Sequence, residues 1–165
     1  MRAKLIFQYA FMIAVSFICG VISSRYISLE LAEYIIKVVD ARVLEINAGY
    51  IAAIVPVAIS LGIVLLFSSH PFLSYAALIY IALKSVFFGF ASVYMMEQGQ
   101  SIFAYISWWF PFQLLYLILF ICIYRICRVQ ISRMKRNTMR AVPIIIFLIA
   151  AVLYLEIVVI SYILI

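Results

Sequence analysis

The chain has 165 residues, 70% of them hydrophobic and 11% charged, with a formal net charge of +6. A soluble domain is nearer half apolar and a quarter charged, so no water-soluble fold could hide this much apolar surface, and the bilayer must be the solvent. The basic residues cluster beside apolar runs, which argues against nucleic acid as the partner and for topology and contact with anionic headgroups.

In chain order, a short basic start with Arg2 and Lys4 precedes an uncharged run over 5–24, long enough to cross a membrane as a retained first helix. Its face of small residues includes Ser16 and Gly20. Residues 28–46 change character. Glu30, Glu33, Lys37 and Asp40 form a polar stripe at helical spacing, with Leu31, Ile35, Val38 and Val39 opposite. That pattern predicts an amphipathic helix too charged to span, lying on the membrane surface or against a partner, with Ser28 as its cap and Glu33–Lys37 as an i,i+4 pair. The second span covers 49–67 and contains Pro56. A very short connection predicts an antiparallel hairpin into the third span, 71–96, with Ser69 as N-cap.

The third span is the one around which the others are expected to gather. Ser85, Gly89 and Ser92 recur at three- and four-residue spacing, a small face that lets another helix approach closely in lipid. Lys84 lies near its middle, where a charge costs about 2.5–3.5 kcal/mol on insertion scales and needs a partner or a task. The fourth span, 102–124, carries Trp108-Trp109 ahead of Pro111. The tryptophans mark the headgroup level, pack within the bundle or border a break at Pro111; Gln113 should find an interhelical hydrogen bond. A basic loop over 125–140 has no acid, and a fifth span over 141–165 contains one charge, Glu156.

The expected fold is therefore an all-α integral membrane protein: a single polytopic domain of five transmembrane helices plus one extracytoplasmic amphipathic helix. Basic segments prefer the cytoplasm, which places the N-terminus inside and the C-terminus outside a bacterial cytoplasmic membrane. Spans three and five then run the same way, with Lys84 and Glu156 at matched depth, so a buried polar network of Lys84, Glu156 and Gln113 is expected. Cys19, Cys122 and Cys127 read as buried free thiols. His70 has no neighbour at metal-ligand spacing, and no phosphate loop, nucleophile motif or carboxylate dyad is present. No metal, cofactor or catalytic residue is expected, and the protein is not read as an enzyme.

This order of elements, the run Lys84-Ser85-Val86-Phe87-Phe88-Gly89-Phe90 and the later Phe110-Pro111-Phe112-Gln113 resemble the stage II sporulation protein M family of endospore-forming bacteria. Ser85 stands where the family pattern carries its first glycine. The resemblance implies a membrane scaffold of the engulfment machinery, working with sporulation proteins D and P, which remodel peptidoglycan. Its partner surface would include Glu30, Glu33, Lys37 and Asp40. The alternative is a small transporter or permease subunit using Lys84, Glu156 and Gln113 at mid-depth, with Pro56 and Pro111 breaking helices near a site. Membrane lipids are partners in either case, and an oligomer stays open.

Overall fold

A computed structural model describes residues 2–44, 50–98, 102–133 and 141–163. Among them every long element is helical: α1 (Arg2–Ser24), α2 (Leu29–Asp40), a 3-10 turn (Ala41–Val43), α3 (Tyr50–Ser69), α4 (Ser74–Glu97), the single turn α5 (Ile102–Ala104), a π turn (Tyr105–Trp109), α6 (Phe110–Arg133) and α7 (Ala141–Ile163). Five helices are long and apolar enough to cross a membrane: Ile6–Ser24, Ile51–Ser69, Ser74–Glu97, Ile102–Arg128 and Pro143–Ser161. Helices suit this solvent because they satisfy every backbone donor and acceptor within the segment.

Helix α4 is central, packing on α1, α3 and α6; α6 also meets α3 and α7. The α1–α4 crossing is the closest, and the sequence shows why. A Cβ on Gly20 would lie 1.9 Å from the Val86 carbonyl oxygen, and one on Gly89 would lie 2.1 Å from that of Phe17. Each glycine thus admits the other helix's backbone. Beside them the Ser85 hydroxyl donates to the Ile13 carbonyl at 2.9 Å. Residues 13, 17 and 20 meet 85, 89 and 90 in rising order, so the two helices run parallel, as the first and third of alternating spans must. Ser92 is also buried, but its hydroxyl bonds the Phe88 carbonyl of its own helix.

Several boundaries differ from the sequence reading. Ser69 does not cap the third span. Its hydroxyl is taken by the Leu65 carbonyl at the end of α3. A turn closed by the Leu73 amide and the His70 carbonyl follows, and α4 begins only at Ser74. Tyr80 on α4 ties the hairpin by donating to Ser60, whose own hydroxyl donates to the Pro56 carbonyl one turn back. The expected basic loop begins as helix: α6 continues to Arg133, and residues 134–140 lie outside the described ones. Of the three thiols, Cys127 is buried and Cys122 half-buried, but Cys19 is exposed.

The π turn sits where Pro111 follows. Proline has no N–H, and its ring would clash with the carbonyl four residues back; widening the turn relieves this. Instead, the Phe110 amide bonds the Tyr105 carbonyl. Trp108 and Trp109 are both fully buried, so they belong to the bundle and not to a headgroup belt.

Candidate functional site

Helix α2 has three faces. Ala32, Ile36 and Asp40, four apart, are buried against the bundle. Glu30, Glu33 and Lys37 form an exposed polar stripe, and Leu31, Tyr34 and Val38 an exposed apolar one. Three faces of this kind let the helix lie at an interface, with one side on protein, one in lipid and one in water. Ser28 occupies the N-cap position without a side-chain cap bond. Glu33 accepts from the Tyr94 hydroxyl of α4 at 3.4 Å, and among the described residues it forms no ion pair with Lys37.

At Asp40 the backbone leaves the helix (φ −161°, ψ 91°), and the 3-10 turn that follows sends Arg42 back into the bundle. Arg42 is 2% exposed. Its guanidinium holds Asp40 through two bonds, Nε to Oδ1 at 2.7 Å and Nη2 to Oδ2 at 2.6 Å. Its remaining arm, Nη1, donates to Glu156 Oε1 of α7 at 2.8 Å. Trp108 Nε1 donates to the same oxygen at 3.0 Å, and the Tyr116 hydroxyl donates to Glu156 Oε2 at 2.6 Å. The buried Glu156 carboxylate is thereby met on both oxygens, as a buried charge requires. Burial by itself lowers the proton affinity of Arg42, but the bonds and charges of Asp40 and the charge of Glu156 outweigh it, and the net direction is upward.

This clasp corrects the expected pairing. Glu156 meets Arg42, and among the described residues Lys84 forms no ion pair with it. The packing explains why: α7 lies on α6 and, less extensively, α3, so α4 is not a principal neighbour of α7. Lys84 instead lines a small cavity with Asp40, Arg42, Ser60, Gln113 and Tyr116. Its ammonium lies 6.0 Å from the Phe87 ring centre. Two carboxylates and one guanidinium leave an excess negative charge, and Lys84 supplies the opposite sign across the cavity. Gln113 lines the cavity too, but makes no hydrogen bond among the described residues, contrary to expectation. Asp40 is withdrawn from the expected partner surface; at 3% exposure its carboxylate belongs to the clasp.

Sequence reasoning missed Arg42 as a site residue because it treated 28–46 as one surface segment. The available signal was local: Asp40 and Arg42 form an acid–base pair set between Val38-Val39 and Val43-Leu44, unlike the solvated stripe before it. Among the described residues no group of His, Cys, Asp and Glu could hold a metal ion. The cavity, about 20 Å³, has room for a single water-sized group.

The fold and this cluster define an all-α, multi-pass membrane protein with a surface helix clasped to its bundle by buried charges. No family model, curated protein or solved structure matches the chain.

Proposed function

We propose that the protein is a non-catalytic membrane scaffold that presents helix α2 to a partner at the membrane surface. The observation that supports this reading is the Arg42 clasp. It fixes α2 on α7 through Glu156 while Glu30, Glu33 and Lys37 remain exposed. A connector floating on headgroups needs no such anchor, whereas a docking platform gains from being rigid, because less ordering is left to the binding step. The resemblance to the stage II sporulation protein M family supplies the class of partner: extracytoplasmic peptidoglycan-remodelling proteins, of which sporulation proteins D and P are the expected examples. In this reading N-in, C-out topology puts α2 on the wall side of a bacterial cytoplasmic membrane.

Affinity capture from mildly solubilised membranes tests this. The intact chain is expected to recover a wall amidase or lytic transglycosylase. Combined E30K, E33K and K37E reversal is expected to reduce recovery at least tenfold without loss of the folded protein. Unchanged recovery would move the docking face elsewhere. An intact chain that captures no wall-remodelling protein would remove the scaffold reading.

A permease subunit is the second reading, favoured by Lys84 and Gln113 lining the cavity without an ion pair or hydrogen bond among the described residues. The cavity's size counts against a solute path. Under the scaffold reading, proteoliposomes should show equal background flux for the intact chain and K84M; flux abolished by K84M would shift the assignment to transport.

A further inference from the structure

A second cavity lies away from the clasp, between α1 and α6 over a floor from α4. Its volume is about 830 Å³, within the ~300–1,000 Å³ typical of ligand sites, and its walls are almost wholly apolar. On α1 it runs from Ile6 to Ile18, about 18 Å at 1.5 Å per residue, a little more than one leaflet of a hydrocarbon core about 30 Å thick.

The two ends differ. One is closed by aromatic rings: Phe88 packs edge-on against Phe17 with centroids 4.9 Å apart, and against Phe110 at 5.6 Å. At the other end Tyr9 of α1 and Tyr124 of α6 meet edge to face at 6.3 Å, and Arg125 lines the cavity. This is also the end where α1 begins, with Arg2 and Lys4 in its first turns, and where the basic 125–140 segment starts.

Arg125 differs from its neighbour Arg128. The Arg128 guanidinium donates to the Tyr124 hydroxyl at 2.6 Å and lies 5.3 Å from the Tyr75 ring centre. Arg125 is half-buried and, among the described residues, has no hydrogen bond or ion pair. A guanidinium carries five donors in a planar fork suited to phosphate. At the mouth of an apolar groove one leaflet deep, the matching chemistry is an acyl chain with an anionic phosphate at its head. The geometry points to a specific site for one anionic phospholipid, its chain lying between α1 and α6 and its headgroup phosphate on Arg125. The site does not depend on the scaffold assignment, since it uses neither α2 nor the clasp.

The test is lipid retention by the full chain in nanodiscs of 20% phosphatidylglycerol and 80% phosphatidylcholine, with bound lipid read by native mass spectrometry after gentle release. The intact protein should keep one phosphatidylglycerol in marked excess over its share of the bilayer. R125Q should lower that preference about fivefold, the effect of one basic residue at a membrane surface. A14F should displace lipid of either headgroup, because exposed Ala14 faces the groove and can grow into it without entering the α1–α4 crossing. R128Q, outside the groove, should retain phosphatidylglycerol like the intact chain. Equal phosphatidylglycerol preference in R125Q and the intact protein, or full lipid retention by A14F, would overturn the assignment. So would a loss in R128Q matching that in R125Q, which would mean diffuse attraction to the basic segment.

Discussion

Replacing Arg42 with methionine is expected to destabilise the protein by about 3–5 kcal/mol, the usual consequence of removing one partner from a buried charge cluster. The magnitude follows from what remains. Asp40 and Glu156 are 3% and 0% exposed, and without the guanidinium two carboxylates share a dry site. Trp108 and Tyr116 still donate to Glu156, but they carry no charge. R42K should recover only part of the loss, because an ammonium cannot span the forked bonds to Asp40 and the third bond to Glu156 together. The triple variant D40N, R42M and E156Q should be more stable than R42M alone, since it removes the stranded charges along with their partner. Denaturant titration in mild-detergent micelles, followed by tryptophan fluorescence, measures all three, with Trp108 reporting from inside the cluster. A loss near 0.6 kcal/mol for R42M, the average for interhelical hydrogen bonds in membranes, would mean that water reaches the clasp and that it does not anchor α2.

The second large effect is expected at the α1–α4 crossing. G20A and G89A should each cost about 1–3 kcal/mol, the range for overpacking a tight contact. In both cases the added methyl meets a backbone carbonyl, at 1.9 Å and 2.1 Å, and a carbonyl cannot rotate away as a side chain would. The helices must separate, lengthening the bond from Ser85 to the Ile13 carbonyl. Only 6% of the α1 span is buried, so little else holds it in place. The double variant should cost less than the two single losses together, because both push the same pair of backbones apart. Gly62 is the control. A Cβ there meets nothing within 4 Å, so G62A should be neutral, or stabilising by up to about 1 kcal/mol through the better helix propensity of alanine. Equal behaviour of G62A and G89A would show that the crossing is looser than the structure has it.

These two predictions rest on features that were unequally legible in the chain. Gly20, Ser85 and Gly89 announce themselves by spacing, and the structure brings all three to one crossing. Five apolar runs, their order and the central place of the third could likewise be read along the sequence. A span is a local property, set by length and composition against a solvent that tolerates no unsatisfied backbone. The amphipathic character of α2 is local in the same sense. The partner of Glu156 is not. It depends on an extended residue at Asp40 that turns the chain inward and on α7 packing against α6 instead of α4, and neither leaves a periodic mark. Reasoning from matched depth paired the two charges that lay within spans. The bundle instead draws in Arg42 from a segment that composition assigns to the surface, because a forked guanidinium can bond two carboxylates at once, whereas the single ammonium of Lys84 forms no ion pair among the described residues. The sequence alone determined that the chain lives in a membrane and which helix faces are narrow enough to cross; the tertiary structure decided which charges meet, since that is settled by how helices distant in sequence are placed around one another.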